Sequence, residues 1–296
     1  MSISDFMLYR LARRWPSPMA RMTNRLKAEV GTSEYNRAYA QDQFDHKVRE
    51  GLRISVSDLD VLEIGCGHGG ISCFLAVVGA RRVVGIDLNT AHLKIAAAFA
   101  QTVASRFQGA SGLPVEFVEM NAVQMSFPDG IFDVVVADNS FEHFTDPIKV
   151  IQESFRVLRP GGRLLVPVFS SIYSKYGLHL KHGLKLPWAN LVFSEKTIIR
   201  AMERLAKDEP RINDLYPGLT KNPKRVRDLR PYKDLNDITY RAFKQMARET
   251  GFEIEWFYPH STRVGKIVSR IPLVNKTRLN DIFSKGAAAC LRRPRA

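Results

Sequence analysis

The sequence predicts an α/β fold built on a mostly parallel sheet with helices on both faces, and three observations predict it. First, Val61-Leu62-Glu63-Ile64 is a short strand-forming run that breaks into the glycine loop Gly65-Cys66-Gly67-His68-Gly69-Gly70. The missing side chains let backbone bend sharply or approach a ligand closely. Residues 69–79 then read as a buried helix. Second, the apolar run Arg82–Ile86 ends on Asp87, about 20 residues past the loop, where a βαβ nucleotide-binding unit places its ribose ligand. Third, strand-like runs recur at Val115–Val118, at Ile131–Val136 and after Leu158-Arg159-Pro160-Gly161-Gly162, the alternation expected of a parallel sheet.

Gly65, Gly67 and Gly70 also satisfy the spacing of a dinucleotide fingerprint, which alone is a weak signal. Glu63 separates the readings. A carboxylate two residues before the loop repels a pyrophosphate and suits a ligand that carries an ammonium or sulfonium, so the loop favours S-adenosylmethionine over NAD.

The motifs that follow carry a resemblance. Asn121-Ala122 trails the third strand. Ser126-Phe127-Pro128-Asp129-Gly130 turns into the fourth strand, which leads to Asp138-Asn139-Ser140-Phe141-Glu142-His143-Phe144. In this order they resemble a class I S-adenosylmethionine-dependent methyltransferase of the small-molecule, ubiquinone-biosynthesis-like type, over roughly residues 58–170. The resemblance implies a Rossmann-like seven-stranded sheet with an antiparallel last strand, for which Gly286–Arg292 is the candidate. It implies cofactor contacts from Glu63, Gly65, Cys66, Gly67, Gly69, Asp87, Leu88, Asn121, Ala122, Asp138 and Asn139. Asn121 departs from the Asp common at its position and offers adenine only a neutral acceptor. It also implies an acceptor site just beyond the fourth strand, where His143 is the candidate base. Glu142-His143 matches half of a metal-binding pattern that some of these enzymes carry; without a second such pair, no metal is expected.

The flanks define the organisation. Residues 1–57 form an N-terminal helical extension, 58–169 the cofactor-binding core, 170–236 a substrate-cap insertion after the fifth strand, and 237–296 the completion of the core. The stretch Asp5–Trp15 mixes bulky apolar groups with arginines and suits either docking or an anionic membrane surface. Ser33 is expected to cap a helix running to Glu50, with Tyr35, Tyr39, Phe44 and Val48 as its apolar set. Tyr35 and Tyr39 are lid candidates. The insertion holds His179, His182 and Trp188, candidate acceptor contacts, a helix from Ser194 to Lys207, and the basic run 221–230. A helix over Ile238–Thr250 and a strand over Phe252–Tyr258 follow. Arg292, Arg293 and Arg295 form a basic tail.

Composition narrows the function. The 296 residues can bury a full core, and three cysteines make neither a disulfide framework nor a ligand cluster, which points to a reducing cytoplasm. No apolar run reaches transmembrane length. A net charge of +14 invites an anionic partner, whether nucleic acid, the inner face of a membrane or an acidic substrate. The expected activity is O-methylation of a small-molecule, sugar or lipid-linked acceptor. An RNA methyltransferase using the basic cap and a non-catalytic binding protein are the alternatives. The first lacks an Asn/Asp-Pro-Pro-aromatic motif at Asp138–Phe141, and the second leaves Glu63, the loop and Asp87 without purpose.

Overall fold

The computed structural model describes residues 3–14, 26, 32–107, 112–175, 177–178, 180, 184, 186–209, 212, 235–262 and 279–295. Its strands are β1 (Asp60–Ile64), β2 (Arg82–Asp87), β3 (Val115–Glu119), β4 (Phe132–Val136), β5 (Leu158–Phe169), β6 (Glu253–Ser261) and β7 (Ser284–Arg292). Its helices are α1 (Ile3–Arg14), α2 (Ser33–Glu50), α3 (Gly70–Val77), α4 (Thr90–Phe107), α5 (Pro147–Val157), α6 (Ala189–Val192), α7 (Glu195–Asp208), α8 (Tyr240–Glu249) and α9 (Leu279–Ile282). The chain divides into two compact units. One, here the sheet unit, comprises Leu26–Phe169, Arg241–Tyr258 and Ala287–Ala296. The other, the composite unit, gathers Met1–Arg25, Ser170–Tyr240 and Pro259–Gly286.

The seven strands lie in the order β3-β2-β1-β4-β5-β7-β6. Pairing is parallel from β3 through β5, and β7 runs antiparallel to β5. The expected Rossmann-like sheet is therefore present, antiparallel seventh strand included. β1, β2 and β4 are buried along nearly their whole length, as parallel strands covered on both faces must be. β7 is less obvious: Ala287-Ala288-Ala289 favours helix by intrinsic preference. Pairing with β5 and burial of 286–291 override that preference.

Local chemistry sets the helix ends. Thr32, rather than Ser33, caps α2: its backbone is extended and its Oγ1 accepts from Tyr35 N at 3.1 Å. Tyr35 and Phe44 are buried as expected, but Val48 is 54% exposed. The final turn of α2 directs Lys47 inward instead, its side chain 11% exposed. α2 also lies directly against the start of α3. A Cβ at Gly70 would stand 2.5 Å from the Ala40 carbonyl oxygen, so only glycine permits that approach.

α5 begins on Asp146 and Pro147 and ends under an arginine from the C-terminal segment. Arg293 Nη1 donates to the carbonyls of Phe155, Arg156 and Leu158 at 2.9, 3.2 and 2.6 Å, satisfying groups a helix end leaves open. Arg292 pairs with Glu253. Two residues of the apparent basic tail are thus structural.

In the composite unit, α1 buries Leu8, Tyr9 and Ala12 in a core with Ile198, Met202 and Leu205 of α7. Tyr9 donates to Asp208 at 2.6 Å, and Asp5 pairs with Arg200 at 3.0 Å. The expected helix is present as α7, and Ser194 caps it by accepting from Thr197 N. A buried polar knot ties segments far apart in sequence. Ser171 Oγ and Tyr240 N both donate to Asp281 Oδ2, and Tyr240 Oη shares a 2.6 Å hydrogen bond with Ser284.

Candidate active site

The candidate site lies at the carboxyl ends of β1, β2 and β4. Strand order reverses between β1 and β4, and such a switch point opens the crevice in which α/β folds bind ligands. After β1 the chain is pinned to β2, with Gly65 N and Cys66 N both donating to the Ile86 carbonyl at 2.8 and 3.0 Å. Gly67 has φ +50° and donates its N–H to Asp87 Oδ2 at 2.9 Å. A Cβ built on Gly67 would meet nothing within 4 Å, so this turn presents bare backbone to open space.

Asp87 stands at the tip of β2, as expected. Its other oxygen accepts from Asn89 N at 2.8 Å, and both oxygens keep lone pairs for further donors. Leu88 beside it is 63% exposed. Met120 N donates to the Asp87 carbonyl at 3.2 Å, which brings the turn after β3 to the same edge. In that turn Asn121 is exposed, with its Oδ1 accepting from Val123 N, and Ala122 is buried.

A second cluster lies under the loop. Glu63 is 2% exposed and accepts a short hydrogen bond from Ser72 Oγ of α3. Burial raises its carboxyl to about 8, the Asp138 charge adds to the rise, and Ser72 and Lys47 oppose it. At neutral pH the group therefore holds its proton, whereas the sequence suggested a free carboxylate. Asp138, just past β4, is buried and paired with Lys47 Nζ at 3.4 Å. Burial pushes its pKa up as well, against the pull of Lys47. Asn139 follows at φ +52°, a left-handed conformation that Asn tolerates, its N–H held by the Val168 carbonyl at 2.7 Å.

A third cluster joins loop and helices. The rings of His68 and His92 lie 4.4 Å apart, and Tyr39 meets His68 edge-on at 6.0 Å. Tyr35 stacks on Tyr39 at 6.1 Å. Burial and the neighbouring His92 push His68 down to about 4, and its buried Nε2 has no hydrogen-bond partner among the described residues. The Cys66 thiol is driven upward by burial and by the charges of Glu63 and Asp87, so it stays protonated.

His143 ends a short 3-10 turn, Phe141–His143, and is half-buried; its N–H donates to the Ser140 carbonyl at 2.9 Å. The turn is anchored by Phe141, fully buried and edge-on to Phe243 at 5.2 Å. Trp188 lies in the composite unit, where its indole N–H donates to the Ile282 carbonyl at 2.7 Å. His179 and His182 lie outside the described residues, as does the basic run 221–230. The sequence reading missed Lys47, Ser72, His68 and His92. Lys47 left no signal, because a lysine in the last turn of a helix ordinarily faces solvent. His68 could have been found, since it sits inside the glycine loop itself.

The donor set fits one cofactor class. Two buried acids and the lysine paired with one of them suit a zwitterionic amino acid group, and Asp87 beside bare glycine backbone suits a ribose. A methyltransferase domain model matches residues 62–166. The ubiquinone biosynthesis O-methyltransferase of Pseudomonas aeruginosa is 32% identical over 211 residues, covering 67% of this chain and 82% of that protein. The chain belongs to the class I S-adenosylmethionine-dependent methyltransferases. The ubiquinone/menaquinone biosynthesis C-methyltransferase of Vibrio vulnificus is 35% identical over 130 residues, 40% of this chain; the chain spans about half (48%) of that relative's length. Among solved structures, an S-adenosylmethionine-dependent methyltransferase from Mesorhizobium loti aligns with TM-score 0.50 and 16% identity over 89% of this chain and 99% of the other. The cyclase SpnF also reaches TM-score 0.50, at 16% identity over 98% and 97% of the two chains. These likenesses establish the methyltransferase fold alone.

Proposed function

We propose that this methyltransferase transfers a methyl group from S-adenosylmethionine to an oxygen of a small-molecule acceptor in the cytoplasm, the acceptor being a phenol-like ring of the quinone-precursor kind. Support for oxygen comes from the extent of similarity. The O-methyltransferase relative is matched over 82% of its length, and the C-methyltransferase relative over 48%.

In this reading Asp87 accepts from the ribose hydroxyls, Gly67 gives the ligand access to backbone, Gly65 and Gly69 let the loop close against Ser140 and Ala96, and Leu88, Asn121 and Ala122 border the adenine. Glu63, Asp138 and Lys47 hold the amino acid group. Bound cofactor supplies an electrophilic methyl group on a sulfonium. The chain's own task is to bring the acceptor oxygen into line with that methyl group, and proximity of this kind lowers a barrier by roughly 7–11 kcal/mol. His143 takes the proton of the acceptor hydroxyl, a requirement for an oxygen nucleophile that is mostly protonated at neutral pH. Residues 170–236 select the acceptor, with Trp188, His179 and His182 as contributors.

The reading is tested with methyl-labelled cofactor and a panel of phenols and hydroquinones with and without prenyl tails. A labelled methyl ether is the expected product. Label on a ring carbon overturns the oxygen assignment, and label in RNA with none in any phenol overturns the acceptor class.

A further inference from the structure

We propose that the outward face of α1 is a docking surface for an anionic lipid bilayer. The observation is a helix with two apolar sides. At 100° per residue, Asp5, Leu8, Tyr9 and Ala12 fall on one side of α1, and all four are buried within the composite unit. Ile3, Phe6, Met7 and Leu11 fall on the opposite side and are 81, 44, 51 and 41% exposed. Arg10 and Arg14 share that outward side and are also exposed. The Arg10 guanidinium sits 5.5 Å over the Phe6 ring.

The packing need of the fold explains the inner side completely and the outer side not at all. An ordinary surface helix turns charged residues outward. Here four large apolar groups occupy that place instead, in a stripe with two arginines and no acid. Asp5, the one acid within α1, is buried on the other side against Arg200. Arg13, on the shoulder, is held by Asp208 at 3.5 Å.

The charge pattern chooses the occupant. A second copy of this chain would bring the same arginines and a net charge of +14 against the first. A nucleic acid would pair with the arginines but gain nothing from Ile3 or Met7. An anionic bilayer uses both: the apolar groups enter the boundary below the headgroups, and Arg10 and Arg14 reach back to the phosphates.

The test uses the full chain with vesicles of phosphatidylcholine alone and of phosphatidylcholine mixed equally with phosphatidylglycerol. The protein is expected to co-sediment with the mixed vesicles and not with the neutral ones. Arg10→Ala and Arg14→Ala should each weaken binding about fivefold, the effect of one basic residue at such a surface. Phe6→Ser with Met7→Ser should weaken it tenfold or more through lost apolar burial. Met7→Trp gives an independent reading: its emission should shift to the blue only with mixed vesicles. Equal binding to both vesicle types overturns the proposal, as does a serine double variant that binds like the parent, since charge alone would then suffice. Retention on RNA that is lost with Arg10→Ala but not with the serine variant assigns the face to nucleic acid instead. Affinity for S-adenosylmethionine, followed by calorimetry, should not change in any of these variants. A failure there concerns the cofactor site, and a failure with vesicles concerns α1.

Discussion

The sheet unit and the composite unit reach stability by different routes. In the sheet unit β1, β2 and β4 are local apolar runs, and neighbours in sequence are mostly neighbours in space. In the composite unit three segments, interrupted by residues 26–169 and 241–258, are joined by a polar knot at Asp281 and by α1 against α7. This contrast bears on where chemistry and recognition can be placed. Strand ends repeat the same geometry and hold reacting groups in fixed positions. A unit assembled from distant segments can vary its surface without disturbing the strands.

His143 tests whether reaction chemistry belongs to the sheet unit alone. His143→Ala should lower turnover by about 10²–10⁴-fold while leaving affinity for S-adenosylmethionine intact. His143→Asn should behave like the alanine variant, and wild-type turnover in the Asn variant makes His143 a packing residue.

Lys47 probes the cluster that only the folded sheet unit creates. Lys47→Met leaves Asp138 buried without its cation and should cost about 3–5 kcal/mol in urea unfolding. Adding Asp138→Asn should recover much of that loss; if both variants are equally unstable, the pair is not coupled.

Asp87→Ala should weaken cofactor binding by about 1.5–3 kcal/mol, the range for hydrogen bonds to a charged group. Unchanged affinity by calorimetry in the folded variant removes Asp87 from the ribose role.

Glu63 makes the same unit sensitive to pH. Its carboxyl lies near 8 folded against an ordinary value of 4.5, so the folded chain holds a proton that the unfolded chain has released. The stability this contributes is complete below about 4.5, declines as pH rises, and is lost by about 8, with a slope of at most about 1.4 kcal/mol per pH unit. Unfolding curves across that window should show the decline in the parent and a flatter profile in Glu63→Gln. Equal profiles would falsify the assignment.

The smallest effect belongs to the composite unit. Tyr240→Phe removes one buried hydrogen bond to Ser284 and should cost about 1 kcal/mol. Cofactor affinity should stay at the parent value. A loss of cofactor binding in this variant would show that the two units are energetically linked.

Strands β1 to β4 and the acid at the tip of β2 were legible in the sequence. Period, glycine placement and strand-ending polar residues are local signals, and local signals survive without knowledge of the fold. β7 was a weak strand candidate that the resemblance strengthened, because an alanine run gives little strand signal until β5 lies beside it. The rest arises only in the folded chain. Folding placed Lys47 inside, beside Asp138, by turning the last turn of α2 inward at the expense of Val48. It converted Glu63 from an expected anion into a proton-holding acid, because burial cost cannot be read from spacing. It drew Arg292 and Arg293 out of an apparent basic tail and onto Glu253 and the end of α5. Each of these depends on which groups meet across long separations in sequence, and pairing energies and desolvation exist only once they have met.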